Sequence, residues 1–404
     1  MITVKLGEIS NITMGQSPKS CFYNSDGNGL PFLQGRTTFG RIFPSFDTWT
    51  TKWNKEAPKN SLLFTVRAPV GDVNVTKERI AIGRGIASLE PKLVTLEYLY
   101  YVLISNKKSF LSKSNGAVYD AINIDTLAST SVLIHENQDQ SKVVSILSKY
   151  DKAIESNSEQ IRLLESMAEQ KYKQNVIKLS PFNRNTNQSH NDYANDWKKM
   201  VLSEVLEKSF NGGWGEDNPV GKKYFESNVI RGTDINDIEN GSFNDVPNRF
   251  HAENEVDSKQ LVNNDIVLEL SNGNIDNIGR SLFVDNYVLN KFSHVMCASF
   301  CKVLRSKNRR YALALAFEIK YLQNTKLLSF YKNTGTNGIN NFNFKRFLKQ
   351  EITIPPSLVL EDIQSFYSLA NSLREENINL LKQMNMLLPR LMSGKLDISG
   401  KEII

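Results

Sequence analysis

The feature that most constrains the fold is an internal duplication, because one order of segments occurs twice within the 404 residues. Each copy runs from an opening segment through short apolar strands, polar loops and a helix to a last strand, which a long helix follows. The corresponding segments of the first and second copies are 5–9 and 201–205, 32–36 and 229–233, 59–64 and 263–268, 67–72 and 271–279, 85–89 and 295–300, 96–105 and 311–322, 116–127 and 335–347, and 131–134 and 351–354. We therefore expect two related domains, which also suits a chain too long for one ordinary hydrophobic core.

A long amphipathic helix is predicted after each copy. Between 139 and 179 there is neither proline nor glycine, and apolar residues recur at steps of four and three if one asparagine is counted in the seam. The predicted seam residues are Val143, Leu147, Ile154, Asn157, Ile161 and Leu164 in the first helix, and Ile363, Phe366, Leu373, Asn377, Leu380 and Leu387 in the second. Each apolar stripe is narrow, so each helix needs a partner.

Pairing the two helices with each other satisfies both stripes. An antiparallel arrangement places Asn157 opposite Asn377, where a buried asparagine pair would fix the register, and it gives the duplication a pseudo-twofold axis. Pro389 predicts that the second helix kinks or ends there. The alternatives are a simple helical hairpin and a homodimerisation coil.

The expected fold class is α+β, with two duplicated α/β domains separated by two long antiparallel coiled-coil helices. The hydrophobic content of 40% allows each domain a core of its own. The predicted domains are 1–138 for the first copy, 139–180 for the central helix, 181–198 for a polar linker, 199–357 for the second copy, and 358–404 for the C-terminal helix and tail.

Charge and targeting signals bound the function only loosely. A formal net charge of +6 favours an anionic partner, but many ordinary proteins of this size share it. The sequence lacks an apolar run near the ~18 residues of a membrane span, and it lacks a signal peptide. These features predict a cytoplasmic protein without a membrane partner.

Three cysteines are an odd total without a disulfide framework. Cys297 and Cys301 lie close to His294, which makes a metal site conceivable. A zinc site usually has four ligands with tighter spacing, so we expect buried thiols and no metal.

Sequence motifs give little support for catalysis. An adenine methyltransferase should show Asn or Asp followed by two prolines and an aromatic residue, but 354–357 reads Ile-Pro-Pro-Ser. The turn at 83–85 lacks the third glycine of a dinucleotide loop. Asp72, Glu90 and Lys92 could imitate a nuclease site, but such spacing is common by chance. We expect no catalytic residue; the alternatives are a stand-alone methyltransferase or restriction enzyme, and a protein-interaction scaffold.

Four features in this order resemble the specificity subunits of type I restriction-modification systems, and the similarity extends over nearly the whole chain. They are the run 62–72, Gly116 with 123–125, Asp139-Gln140 at the start of the first long helix, and 391–396 near the end. The second copy departs from the pattern, because 269–274 lacks the Arg-Ala-Pro of the first.

The resemblance implies a non-catalytic subunit with two target-recognition domains, each reading half of a split, asymmetric site on double-stranded DNA. It implies two methyltransferase subunits docked on the helices and restriction subunits beyond them. The chain would have no cofactor of its own, and S-adenosylmethionine, ATP and Mg²⁺ would belong to those partners. The first helix would be roughly 55–60 Å long, against ~34 Å for one turn of DNA, so the helix pair could set the separation of the half-sites.

Candidate DNA contacts are side chains that can hydrogen bond to base edges, arginine to guanine and asparagine or glutamine to adenine. Lys52 and Lys55 in the first copy, and the basic run of Lys307, Arg309 and Arg310 in the second, are candidates for phosphate contacts. The base-reading candidates next to the repeated strands are Gln34, Arg36, Arg41, Arg67 and Arg84 in the first copy, and Arg231, Thr233, Arg249, Asn272, Asn274 and Arg280 in the second. The alternative for each is a solvated or structural side chain.

Overall fold

The computed structural model describes residues 1–114, 121–178, 180, 196–334 and 340–396. The chain divides into two compact units, of which unit 1 is Met1–Ile154 with Asn379–Ile404 and unit 2 is Glu155–Ile378. The predicted linker 181–198 lies almost wholly outside the described residues. In the part of the chain that is described, none of the helices is both long and apolar enough to span a lipid bilayer.

Unit 1 contains eleven strands and four complete α-helices among its described residues. They are β1 (Ile2–Lys5), α1 (Leu6–Ile9), β2 (Ser10–Met14), β3 (Tyr23–Asn24), β4 (Leu30–Leu33), β5 (Trp49–Thr50), β6 (Glu56–Ala57), β7 (Leu62–Thr65), β8 (Val73–Val75), β9 (Ile80–Ile82), β10 (Ile86–Pro91), α2 (Leu96–Ser105), α3 (Lys107–Ser114), α4 (Ile124–Ala128) and β11 (Ser131–Ile134). The long helix α5 (Asn137–Tyr172) begins in unit 1 and ends in unit 2.

The sheets of unit 1 have strand orders β1-β11, β2-β10-β7-β8 and β3-β5-β4-β9-β6. Only β4 and β9 pair in parallel among the described ladders of this unit. Successive side chains of a strand point to opposite faces, and β7 uses both faces. Leu62 and Phe64 belong to the main core, while Leu63 belongs to a second, smaller core.

Unit 2 repeats this architecture. Its elements are β12 (Lys198–Val201), α6 (Leu202–Val205), β13 (Leu206–Asn211), β14 (Lys223–Ile230), α7 (Ile235–Glu239), β15 (Asn248–Ala252), α8 (Glu253–Lys259), β16 (Asp265–Glu269), β17 (Ser271–Asn272), β18 (Ser281–Val284), α9 (Asn286–Leu289), β19 (Val295–Cys297), β20 (Cys301–Ser306), α10 (Arg309–Asn324), β21 (Lys332–Thr334), β22 (Asn340–Phe342), α11 (Phe344–Phe347) and β23 (Glu351–Ile354). The second long helix, α12 (Ser357–Met392), begins in unit 2 and ends in unit 1.

Two sheets of unit 2, and the parallel strand pair within its sheet β15-β14-β19, correspond to those of unit 1, and unit 2 has in addition the sheet β17-β22-β21. The orders β12-β23 and β13-β20-β16-β18 match β1-β11 and β2-β10-β7-β8, and the parallel pair β14-β19 matches β4-β9. The central strand β16 also faces two cores, with Ile266 and Leu268 in one and Val267 in the other. The expected α+β class and the duplication are confirmed.

Backbone hydrogen bonds outside the regular ladders recur at equivalent places and define the correspondence residue by residue. The equivalent bonds, from N–H to carbonyl, are Gly15 to Ile86 and Gly212 to Cys301, Gly83 to Leu33 and Ala298 to Ile230, Val66 to Gly85 and Leu270 to Phe300, Gly71 to Thr65 and Gly279 to Glu269, and Ile122 to Val66 and Phe342 to Leu270. Left-handed backbone also recurs, since Asn60 (φ 62°) and Asn264 (φ 72°) precede the central strands.

One pairing in the predicted repeat is wrong. From the sequence we expected 85–89 to correspond to 295–300. In the structure Val295–Cys297 forms β19, which corresponds to β9. Phe300 stands where the first copy has Gly85. Each copy has two apolar strands separated by a three-residue turn at this place, so local pattern could not choose between them. Strand pairing decides the register.

The two long helices pair antiparallel inside unit 2. Asn157 Nδ2 donates to Asn377 Oδ1 at 3.0 Å, so the predicted asparagine pair is confirmed. Two ion pairs show the antiparallel direction, because later residues of α5 contact earlier residues of α12. Glu165 pairs with Arg374 at 2.5 Å, and Lys171 pairs with Asp362. Ile161 and Ile363 are buried, whereas Leu164, Phe366 and Leu373 are half-buried.

Inside unit 1 the seam residues join the main core. Val143 and Leu147 of α5 belong to one cluster with Leu388 and Leu391 of α12. Ile154 is buried, and Leu380 and Leu387 are half-buried. Near this end the buried position of α12 is therefore Leu388 rather than the predicted Leu387.

Pro389 does not end α12. The helix continues to Met392, and Pro389 lies within its last turn. Proline removes a hydrogen bond to the preceding turn. The chain continues past it because Leu391 and Met392 are buried in the main core of unit 1.

Candidate nucleic-acid interface

Strand direction brings three loops of unit 1 together. Because β4 and β9 are parallel, their carboxyl ends lie at the same edge, and β7 ends there too because it is antiparallel to β10, which starts there. Backbone hydrogen bonds tie these three loops to one another and to the segment 15–17, which follows β2. We call this region the first loop edge and define it by the segments 15–17, 34–36, 66–67 and 83–85.

Four of the five candidates in the first copy lie on the first loop edge. Ser17 Oγ donates to Gln34 Oε1 at 2.7 Å and accepts from the Arg84 backbone N–H at 3.1 Å. Arg67 directly follows Val66, whose N–H donates to the Gly85 carbonyl at 2.9 Å. Gln34, Arg36, Arg67 and Arg84 are exposed. The structure therefore presents one amide and three guanidinium groups to solvent along this edge.

Asp72 holds Arg36 from one side. Arg36 Nη1 donates to Asp72 Oδ2 at 2.6 Å, and Lys107 Nζ donates to Oδ1 at 2.5 Å. Burial opposes ionisation of this carboxyl, but the hydrogen bonds from Lys107 and Arg36 outweigh it and hold the pKa of Asp72 below its usual value. The Arg36 guanidinium remains half-exposed, at 53% of its side chain.

Arg41 has a different role. Its guanidinium pairs with Asp151 of α5, and it lies 3.7 Å from the Met384 sulfur of α12. Tyr101 donates to the same carboxyl. Arg41 therefore joins the globular part of unit 1 to the long helices and does not belong to the first loop edge.

Unit 2 has an equivalent edge. The carboxyl ends of the parallel strands β14 and β19 meet the end of β16, which is antiparallel to β20. We call this region the second loop edge and define it by the segments 212–213, 231–233, 270–274 and 298–300. Thr233 and Asn274 are its exposed candidates.

Arg231 is tied down within the second loop edge. Its Nε and Nη2 donate to the carboxylate of Asp234 at 2.6 to 3.1 Å, and Nη2 also donates to the Asp245 carbonyl at 2.8 Å. The side chain is 38% exposed. Its remaining Nη1 group is the part that can still reach a ligand.

Asn272 and Arg280 organise the loop from beneath. Glu269 and Arg280 form a buried ion pair at 3.0 Å, with side-chain exposures of 4% and 10%. Asn272 Nδ2 donates to Glu269 Oε1 at 2.7 Å, and Asn272 Oδ1 accepts from the Asn274 backbone N–H at 2.8 Å. These contacts engage both Arg280 and the Asn272 amide in holding the loop conformation.

The other three candidates of the second copy lie outside the second loop edge. Arg249 is buried, pairs with Asp217 and lies 4.5 Å from the Trp214 ring. Arg309 binds Glu361 of α12 through two hydrogen bonds, at 2.9 and 3.1 Å. Arg310 donates to the Pro355 carbonyl at 2.8 Å and pairs with Asp196. Each guanidinium is therefore paired with an acidic group far away in sequence.

Other groups considered from the sequence are also accounted for. Burial raises the pKa of the Cys297 thiol to about 12 and raises that of Cys301 well above its usual value, which keeps both thiols protonated. Lys92 donates to the Gly7 carbonyl at 3.1 Å, while Asp72 is held by Arg36 and Lys107. Over the described ranges, His, Cys, Asp and Glu side chains do not gather in threes as a metal site would require.

Sequence reasoning missed three residues of the two edges. Ser17 orients Gln34, and Lys107 completes the pair on Asp72. Phe300 is 68% exposed on the second loop edge. Phe300 was missed because the repeat was aligned one strand out of register at this place, and only strand pairing shows that Phe300 stands where the first copy has Gly85.

Comparison with known proteins agrees with this architecture. The family model described as "Type I restriction modification DNA specificity domain" matches residues 1–166 and 194–377. The type I restriction enzyme MjaIX specificity subunit of Methanocaldococcus jannaschii is 25% identical over 424 residues, which cover 98% of this chain and 93% of that protein. A second protein of that organism, similarly described, is 36% identical over 146 residues, and the match spans only 34% of its length.

The crystal structure of a type I restriction-modification system S subunit from M. genitalium has the same fold. It superposes with a TM-score of 0.53 and 16% identity, over 96% of this chain and 95% of that chain.

Proposed function

The chain belongs to the family of type I restriction-modification DNA specificity domains, and we propose that it directs such a complex to a bipartite, asymmetric site on double-stranded DNA. The two segments that match the family, 1–166 and 194–377, contain the two copies. In this proposal unit 1 reads one half of the site and unit 2 reads the other. The chain itself carries out no bond-making or bond-breaking step.

One observation carries the proposal: the two loop edges share a backbone scaffold but differ in the side chains that they present. Equivalent hydrogen bonds hold both edges, yet Gln34 corresponds to Arg231, Arg36 to Thr233 and Arg84 to Ser299. Base recognition depends on the donors and acceptors that a side chain offers to the groove. A shared scaffold with different side chains is therefore what two unlike half-sites require.

The two loop edges expose different types of side chain, and this difference indicates which bases each edge recognises. The first loop edge presents three exposed arginines, and arginine is suited to the O6 and N7 acceptors of guanine. The second loop edge presents mainly hydroxyl and amide groups, together with one aromatic ring. We propose that the arginine-rich edge reads a half-site that contains guanine.

The helices and the partners complete the proposal. Two methyltransferase subunits bind the paired long helices, and restriction subunits bind beyond them. S-adenosylmethionine, ATP and Mg²⁺ belong to those partners. The paired helices α5 and α12 set the length of the DNA tract that is left unread between the half-sites.

Footprinting tests this function on the complete complex. The chain is purified with its methyltransferase partner and bound to a duplex that contains the site mapped by methylation in the host genome. Two short protected tracts separated by an unprotected gap are expected. A single continuous protected tract would contradict the bipartite arrangement, and absence of sequence-selective binding would contradict the proposed function itself.

A further inference from the structure

Phe300 is the most exposed of the large apolar side chains in the described part of unit 2, and it is the one of them that lies on the second loop edge. It lies in the three-residue turn between β19 and β20, and 68% of it is exposed. It belongs to neither core cluster of unit 2. Leaving a large aromatic ring in water forgoes the free energy that its burial would contribute.

The backbone around Phe300 is held at the centre of the second loop edge. Its carbonyl accepts from the Leu270 N–H at 2.9 Å, directly before Ser271 and Asn272. Ala298 N–H donates to the Ile230 carbonyl at 2.9 Å, beside Arg231, and Gly213 N–H donates to the Cys297 carbonyl at 2.9 Å. The turn and the residue before it are therefore hydrogen-bonded to, or directly beside, the other three segments of that edge, which fixes the position of the Phe300 backbone.

The corresponding position in unit 1 shows that the turn itself does not need an aromatic residue. Gly85 makes the equivalent contact, since its carbonyl accepts from the Val66 N–H at 2.9 Å. A side chain added there would meet the Gln34 carbonyl oxygen at 2.5 Å, so the first loop edge is closed at this point. The ring of Phe300 is thus an addition peculiar to the second loop edge.

The surroundings of the ring favour nucleic acid over an apolar protein surface. The neighbouring segments carry Thr233 and Asn274, both exposed, and Ser299 lies next to Phe300. Lys302, two residues on, donates to Asn211 at 2.6 Å. An exposed aromatic ring on an edge that also carries amide, hydroxyl and ammonium groups fits a base contact, through the thymine methyl group or by stacking as the ring inserts between base steps.

We propose that Phe300 makes apolar contact with a base of the half-site read by unit 2 and so contributes to its specificity. This inference rests on the proposed function, because it assumes that the second loop edge faces DNA. It adds a base contact that is neither an arginine nor an amide. It also predicts that unit 1, which has Gly85 there, lacks such a contact.

The test compares Phe300→Ala with Phe300→Trp in the complete complex with the methyltransferase partner. Affinity is measured on the cognate duplex and on a duplex in which only the unit 2 half-site is scrambled. The alanine variant should bind the cognate duplex about 5- to 100-fold more weakly and the scrambled duplex as the wild type does. The tryptophan variant should retain most of the affinity.

Leu93→Ala is the matched control, because Leu93 is 69% exposed but lies just beyond the far end of β10 in unit 1. It should leave the binding of both duplexes unchanged. Replacing each thymine of the half-site by uracil distinguishes the two contact modes. Loss of affinity in the wild type but not in Phe300→Ala indicates the methyl group, and no loss in either indicates stacking.

Two results would overturn the inference. One is a Phe300→Ala complex that binds and discriminates as the wild type does. The other is reduced co-purification of the methyltransferase subunit with Phe300→Ala, which would make Phe300 a protein contact. In both cases a selective wild-type complex leaves the proposed function intact, whereas a wild-type complex without selectivity would contradict that function instead.

Discussion

At the scale of single residues, the acidic partner of each arginine decides its role. Arg41 and Arg280 carry the same group as Arg84, yet they are held by Asp151 and Glu269 in partly or fully buried pairs. Arg84 is exposed, and its described hydrogen bond is made by its backbone. An arginine that forms a buried ion pair cannot turn toward DNA without leaving its carboxylate partner as an unpaired buried charge. Arg67 and Arg84, both exposed, are therefore the arginines of the first loop edge that are available to DNA, whereas Arg36 is shared with Asp72.

Arg84→Ala should weaken binding of the complex to its cognate duplex about 5- to 100-fold if the side chain contacts a guanine. The loss should be confined to the half-site read by unit 1. Arg79→Ala is the matched control, because Arg79 is an exposed arginine at the opposite end of the same strand, β9. Binding isotherms for both variants on duplexes with one half-site altered check the prediction, and equal losses for the two would contradict it.

Arg280→Leu should lower the free energy of unfolding by about 3–5 kcal/mol, because it leaves the buried Glu269 carboxylate without a positively charged partner. Urea unfolding measures the change. Arg36→Leu serves as the control, since Arg36 is half-exposed and its pair with Asp72 is worth at most about 1 kcal/mol. The double variant Glu269→Leu with Arg280→Leu should recover most of the loss. A single variant as stable as the wild type would refute this account of the pair.

At the scale of elements, each unit is built around one central strand with a core on either face. Leu62 and Phe64 of β7 face one core and Leu63 faces the other, as Ile266, Leu268 and Val267 do in β16. Burial on both faces holds the strand rigid, so the loop that follows it has a fixed starting point. The long helices pack against each other through a narrow apolar seam, and ion pairs between α5 and α12 lie beside that seam.

The asparagine pair in that seam should behave as a unit. Asn157→Leu removes the hydrogen bond at 3.0 Å and leaves Asn377 facing an apolar group, which should cost about 1–3 kcal/mol. Asn157→Leu with Asn377→Leu should be at least as stable as the wild type, because two leucines pack without an unpaired amide. A double-mutant cycle by urea unfolding checks this, and additive losses would show that the two side chains do not interact.

At the scale of the whole molecule, duplication explains why one chain can recognise two different sequences. The sheet orders and the hydrogen bonds around the loops are repeated, while the exposed side chains have diverged. The proposed half-site separation then depends on the helices alone. Because α5 and α12 each run from one unit into the other, a change in helix length need not disturb either loop edge.

Adding one heptad to each helix, between Ile154 and Glu155 and between Ile378 and Asn379, should lengthen the unread gap without changing either half-site. These points lie at the boundaries of the units, so the contacts inside each are preserved. Seven residues add about 10 Å of helix, or about three base pairs of DNA. Footprinting and methylation mapping measure the gap, and an unchanged gap would refute the spacer role. A heptad in α5 alone should reduce stability, because it shifts the seam.

The sequence by itself determined the duplication, the order of most of the repeated segments, most of the seam of the long helices and the Asn157–Asn377 pair. These follow from patterns with periods of two and of three to four residues, which are written in neighbouring residues. Only the tertiary structure decided that Phe300, rather than a strand residue, matches Gly85, and that Arg41 and Arg280 are engaged while Arg67 and Arg84 are exposed. Strand pairing joins residues that are distant in sequence, and so does an ion pair such as that of Arg41 with Asp151, 110 residues away. Folding brings these groups together, so the local sequence pattern does not predict them.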